Sequence, residues 1–235
     1  MIKGVMFDFS GTLFRIESTE EWLAAILAEA GLPLADEEFA DWARRLTEYG
    51  ALPGGAEPLR VPAHLEVLWH ERDLSADQHR AAYTGLLREA GLATSELERA
   101  LYDRHMTPAA WQPYPDVEPT LRELRSRGIP VAVVSNIGWD LRPVFRAYGL
   151  DELVDAYLLS FEVGVQKPEP EIFRVACDAL GLAAADVLMV GDDRTKDGGA
   201  TALGCPVQFV DHLPVDQRPA GLAPVLELLD GAGGR

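Results

Sequence analysis

Apolar and polar positions divide the chain into three stretches. The first is brief: Gly4-Val-Met-Phe7 is apolar, ends on the carboxylate of Asp8 and breaks at Gly11. That pattern predicts a buried strand over 4–8 with Asp8 at its C-terminal tip, where open α/β sheets place their chemistry. From about 16 to 112 the spacing turns helical. Ser18-Thr-Glu-Glu21 has the pattern of a capping box, followed by an apolar face of Trp22, Leu23, Ile26, Leu27 and Ala30 and a stop at Gly31. A second helix starts at Asp36 with Phe39, Trp42, Ala43 and Leu46 inward. The Pro- and Gly-rich run 52–58 reads as a loop, and further helices are expected around 63–72, 76–90 and 95–106.

Pro113-Tyr-Pro115 marks the change to a third pattern, in which short apolar runs alternate with helical spacing. Strands are predicted at 130–135, 157–160, 187–191 and 207–210, and helices at 117–127, 140–148, 169–180 and 194–203. Such alternation predicts an α/β fold, a parallel sheet with helices on both faces, which residues 4–8 should join. The helical stretch falls between the first two strands of that sheet, so it should lie as a lid over the sheet's C-terminal edge. The expected organisation is a core of residues 1–15 and 114–235 interrupted by an all-helical cap of residues 16–113, with hinges near 14–17 and 112–115.

Composition narrows the partners. A hydrophobic share of 48% supports a real core and argues against disorder. The formal net charge of -17 repels phosphate backbones, so nucleic acid is not an expected partner, although a cleft cation can still admit a small anion. No run approaches the roughly 18 apolar residues of a membrane span. The first apolar run is interrupted by Asp8, so a cytoplasmic setting is expected rather than export. Cys177 and Cys205 belong to no CxxC or Cys/His cluster and read as buried free thiols.

Four polar elements follow strand-like runs: Asp8, Ser135-Asn136, Lys167-Pro168, and Gly191-Asp192-Asp193 with Asp197. In a parallel sheet the strand ends point one way, so these groups can converge on one crevice. With these residues, the chain resembles the haloacid dehalogenase superfamily of hydrolases, in the branch whose helical cap follows the first motif. The first family motif, Asp-x-Asp-Gly-Thr, corresponds to Asp8-Phe9-Ser10-Gly11-Thr12; the second to Ser135; the third to Lys167; the fourth to Gly191-Asp192 and Asp197.

The resemblance implies a Rossmann-like core, a Mg²⁺ cofactor and a small phosphorylated metabolite as substrate. Asp8 would be the nucleophile that forms an aspartyl phosphate. Asp8, Asp192 and the backbone carbonyl of Ser10 would hold Mg²⁺. Lys167, Ser135, Asn136 and the backbone at Ser10 and Gly11 would surround the phosphoryl oxygens, and Thr12 would brace the turn. Asp197 would orient Lys167 or the ion's waters, whereas Asp193 reads more readily as a helix-start carboxylate.

One position departs from the pattern. The second aspartate of the first motif protonates the leaving oxygen and then activates water, and this chain has Ser10 there. Such catalysis is worth about 10²–10⁴-fold, so the favoured reading is a metal-dependent phosphatase that is slow on alkyl esters and better with acyl or aryl phosphates. Two alternatives stay open: a catalytically weak binding or regulatory protein, and a metal-independent dehalogenase, against which the intact Gly191-Asp192 argues. A carbon–phosphorus hydrolase would need a cap lysine, and residues 16–112 contain none. His64, His70, His79, His105 and His212 are assigned surface or packing roles, Trp22, Trp42, Trp69 and Trp111 the core, and Arg15, Arg60 and Arg142 the solvated surface.

Overall fold

The computed structural model describes residues 1–91 and 94–231 of the 235. Its strands are β1 (Gly4–Phe7), β2 (Phe14–Ile16), β3 (Trp111–Pro113), β4 (Val131–Ser135), β5 (Ala156–Leu159), β6 (Val187–Gly191) and β7 (Val207–Phe209). Its α-helices are α1 (Thr19–Ala30), α2 (Asp36–Glu48), α3 (Glu66–His70), α4 (Ala76–Glu89), α5 (Ser95–Arg104), α6 (Val117–Ser126), α7 (Arg142–Ala147), α8 (Ser160–Val163), α9 (Pro170–Leu180) and α10 (Ala223–Gly231).

Five strands form one parallel, Rossmann-like sheet in the order β5-β4-β1-β6-β7. The first strand is therefore central. The chain builds outward from it on one side through β4 and β5, then crosses to the other side for β6 and β7. The reversal puts a topological switch point at the C-terminal end of β1, where crevices open in sheets of this kind. Phe7 is in register with Val133 on one side and Val190 on the other, so the next residue, Asp8, emerges level with the ends of both neighbours.

Alternation sorts the strand side chains between two buried faces. Met6, Ala132, Val134 and Met189 pack with Ile172, Phe173 and Ala176 of α9 on one face. Val5, Phe7, Val131, Val133, Leu188 and Val190 pack with Leu121 and Leu124 of α6 on the other. The second cluster continues without interruption into the helical region through Phe9, Phe14, Trp111 and Phe145. Rings of Phe9 and Trp111 have centroids 4.5 Å apart, and those of Phe14 and Phe145 5.1 Å apart.

Helices α1 to α5 form a cap-like region inserted between β2 and β3. The capping box of α1 is present, with Ser18 Oγ accepting from the Glu21 amide and the Glu21 side chain accepting from the Ser18 amide. Two features differ from the expectation. The crossings near 14–17 and 112–115 contain two strands not expected from the sequence, β2 and β3, paired antiparallel to each other with Phe14 opposite Pro113 and Ile16 opposite Trp111. Strands of three residues are too short to show alternation in the sequence. The helix expected at 194–203 is a 3-10 turn over Asp197–Leu203, because the adjacent Gly198 and Gly199 weaken α-helix propensity.

Candidate active site

A cavity of about 220 Å³ lies over the C-terminal ends of β1, β4 and β6. Asp8, Ser10, Ser135, Asn136, Lys167, Asp192, Asp193 and Asp197 all line it. The strand-end elements expected to converge thus meet in one place. Gly11 and Thr12 stand behind them and shape the turn.

Asp8 is held by its backbone N–H, which donates to the Val190 carbonyl at 2.9 Å. Its Oδ1 accepts from Lys167 Nζ at 2.6 Å, and its Oδ2 from Thr12 Oγ1 at 3.3 Å. The same Thr12 hydroxyl lies 3.4 Å from Asp192 Oδ1, so it bridges the two carboxylates. Gly11 adopts φ +85°, a left-handed turn that a side chain would strain, and its N–H donates to Phe14 at 2.7 Å. The buried Arg218 fastens this turn from outside: Nη1 donates to the Gly11 carbonyl at 2.7 Å and Nη2 to that of Thr12.

Lys167 is buried between two acids, with Nζ donating to Asp8 Oδ1 and, at 2.7 Å, to Asp197 Oδ1. Asn136 fixes its backbone from both sides, accepting from the Lys167 amide at 2.6 Å and donating to its carbonyl at 2.8 Å. The amide of Asn136 therefore positions Lys167. Asp197 is fully buried, and its second oxygen accepts from the Asp193 amide at 2.9 Å. Gly191 is required for that approach, because a Cβ there would stand 2.1 Å from Asp197 Oδ2. Asp193 Oδ1 accepts from the amides of Thr195 and Lys196, the helix-start role expected for it.

The electrostatics show a shortage of positive charge. Burial pushes the Asp8 carboxyl up to about 7; Lys167 opposes this, and Asp197 and Asp192 reinforce it. Burial disfavours the Lys167 ammonium, yet Asp197 and Asp8 together hold its pKa above the usual lysine range. Burial also works against ionised Asp192, but His212 and Lys167 keep that carboxyl below its ordinary value. Asp8, Asp192 and Asp197 each place a carboxylate oxygen within 4.8 Å of the others. Both Asp197 oxygens are committed to Lys167 and the Asp193 amide, which leaves Asp8 and Asp192 to share a cation. A hard divalent ion such as Mg²⁺ fits this all-oxygen donor set.

Ser10 lines the cavity without a carboxylate, and its Oγ donates to the carbonyl of Gly54 in the cap-like region at 3.3 Å. Other groups reach the site without a motif that marks them in the sequence. His212, assigned to surface or packing, bonds through Nδ1 to Asp192 Oδ2 at 2.5 Å. It comes just after β7, the same strand-end signal that marked Asp8 and Asp192. Trp69 and Trp111, assigned to the core, line the cavity as well, together with Arg72, Asp73, His79 and Trp139. Trp22 is core as expected, and Arg142 is paired with Asp140 and Glu162 away from the cavity.

Residues 2–202 match the family model of haloacid dehalogenase-like hydrolases. The chain is 31% identical over 215 residues to a phosphoserine phosphatase of Thermus thermophilus, covering 85% of this chain and 79% of that one. It is 30% identical to a phosphatase of Mycobacterium tuberculosis over 99% of both chains. The L-2-haloacid dehalogenase of Xanthobacter autotrophicus superposes with a TM-score of 0.65 over 97% of this chain and 88% of its own, at 24% identity. A central strand ending in Asp8, a buried lysine bridging two acids and a family match over most of the length agree: the chain belongs to the haloacid dehalogenase-like hydrolases.

Proposed function

We propose that this hydrolase is a Mg²⁺-dependent phosphatase that acts on a small phosphorylated metabolite through an aspartyl phosphate on Asp8. The observation that carries this reading is Lys167 Nζ at 2.6 Å from Asp8 Oδ1, beside an Asp192 carboxylate close enough to share an ion. A carboxylate and a phosphoryl group repel each other, and both cations lower that barrier. Asp8, Asp192 and the Ser10 carbonyl would hold Mg²⁺, whose charge offsets that of the phosphoryl oxygens.

The residues of the chain divide the remaining work. An Asp8 oxygen attacks phosphorus as the bond to the leaving oxygen breaks, giving an acyl phosphate on Asp8. Lys167 stabilises the transferring oxygens, and Ser135 and the turn amides donate to them. Water then cleaves the acyl phosphate and frees Asp8. Ser10 can neither protonate the leaving oxygen nor activate that water, so leaving groups that depart as stable anions, acyl and aryl oxyanions, suit the site. The cap-like region, residues 16–113, would cover the cavity during attack and exclude bulk water. The free buried thiols Cys177 and Cys205 fit a reducing cytoplasm.

The test is hydrolysis of acetyl phosphate and phenyl phosphate with and without Mg²⁺. The expected result is metal-dependent release of phosphate by the parent and none by Asp8→Asn. Equal behaviour of parent and variant would move the reading to a binding protein. Release of chloride from 2-chloropropionate without metal would move it to a dehalogenase.

A further inference from the structure

Besides Lys167, the cavity is lined by Lys196, which pairs with Asp193 and Glu57, and, from the cap-like region, by Arg72. Arg72 follows α3 and is largely buried, with its side chain 12% exposed. Its guanidinium lies over the Trp69 indole, 3.7 Å from the ring centroid, and Nη1 donates to the Trp69 carbonyl at 2.6 Å. Stacking and hydrogen bond together fix the plane of the group. The other edge faces Tyr83, Asp73 and Glu57 and is held only loosely by the two carboxylates. Nε is buried and has no hydrogen-bond partner among the described residues. It lies 3.7 Å from Asp73 Oδ2, and Nη2 lies 3.8 Å from Glu57 Oε1, both beyond hydrogen-bond reach.

A buried donor left unpaired is costly, and the Nε–Nη2 edge of arginine matches a carboxylate with two parallel hydrogen bonds. Lys167 gives two of its three donors to Asp8 and Asp197, and the third is assigned to the phosphoryl oxygens, so none remains for a second anionic group. Arg72 and Lys167 line the same small cavity. We infer that Arg72 binds a carboxylate on the leaving group of the substrate, so that the substrate class is a small phosphorylated carboxylic acid held at both ends. The substrate assignment rests on the phosphatase reading of Asp8; the anion site itself does not. Held in place by Trp69, the guanidinium needs little reordering on binding.

Two measurements separate the inference from the reading beneath it. In the first, calorimetry compares phosphonoacetate and 3-phosphonopropionate with methylphosphonate and ethylphosphonate in the presence of Mg²⁺. The carboxylated ligand of matching reach should bind about 10- to 100-fold more tightly than its neutral counterpart, the value of charged hydrogen bonds. Arg72→Gln should abolish the preference and Arg72→Lys should keep part of it, since lysine retains charge without the fork. The exposed Arg60→Gln should keep all of it. In the second, kcat/KM is compared for 3-carboxyphenyl phosphate and the equally sized 3-carbamoylphenyl phosphate, with the preference expected in KM rather than kcat. Equal binding of charged and neutral phosphonates by the parent overturns the Arg72 assignment even if both esters are hydrolysed. Arg72-dependent binding without turnover of either ester upholds the anion site and overturns the phosphatase reading instead.

Discussion

Thr12 and Lys167 show how single side chains set the charge balance of the site. One hydroxyl bridges Asp8 and Asp192, and one ammonium bridges Asp8 and Asp197. Removing a partner from a buried pair leaves a charge uncompensated. Asp197→Ala should therefore destabilise the fold by about 3–5 kcal/mol, read as a lower urea midpoint at unchanged slope. Ser10→Asp restores the acid and base missing from the first motif and should raise alkyl-phosphate hydrolysis by at least about tenfold. Its carboxylate would face the Gly54 carbonyl that Ser10 Oγ now contacts, so loop 52–58 must shift to admit it. Unchanged or lower alkyl turnover would show that position 10 is not where the acid and base are lacking. Asp8, Ser135 and Asp192 were legible because each ends or follows an apolar run with the pattern of a buried strand, whereas Lys167, which follows α8 and a turn, was legible through the family resemblance. Arg72, Asp73 and His79 were not, because they reach the cavity through packing of the cap-like helices, which no local pattern encodes.

At the scale of elements, the sheet order explains why the chemistry sits where it does. With β1 central and the chain reversing across it, every neighbouring strand end delivers a polar residue to Asp8. The 3-10 turn after β6 brings Asp197 back against the strand it has just left, and Gly191 leaves the room. Gly191→Ala should push Asp197 aside, lower stability by about 1–3 kcal/mol and weaken the Lys167 contact. A urea titration unchanged from the parent would show that the turn absorbs a methyl group freely. All five strands of the parallel sheet were predicted to within a residue, since buried parallel strands advertise themselves as apolar runs. The β2–β3 ribbon escaped notice because its register is set by tertiary pairing of two segments almost a hundred residues apart.

At the scale of the molecule, one hydrophobic cluster runs from the sheet into the cap-like region, and buried imidazoles lie within it. His105 is fully buried, and its pKa falls to about 3 through loss of hydration, although its contact with the Tyr102 carbonyl opposes this. His79 shares a hydrogen bond with the Tyr102 hydroxyl at 2.7 Å and is likewise held well below the usual histidine range by burial, with His105, Arg72 and Arg80 adding to it. Both are neutral when folded and bind protons only when unfolded. Their contribution is complete above the unfolded-state histidine pKa of about 6.5 and is lost as pH falls below it, at about 1 kcal/mol per pH unit for each. Stability measured by urea titration between about pH 6.5 and pH 4.5 should fall accordingly, with a shallower slope in His105→Phe. A slope identical in the variant would contradict a buried neutral His105.

The central claim is that the Asp8 carboxylate attacks phosphorus, and the absence of a base at Ser10 gives that claim a direct readout, because the acyl phosphate should form faster than it is hydrolysed. The measurement is mass spectrometry of enzyme mixed with acetyl phosphate and Mg²⁺ and quenched in acid. The expected result is the mass of one phosphoryl group on the peptide that contains Asp8, absent without Mg²⁺ and reduced by Ser10→Asp. An unmodified Asp8 peptide during sustained phosphate release would contradict the account.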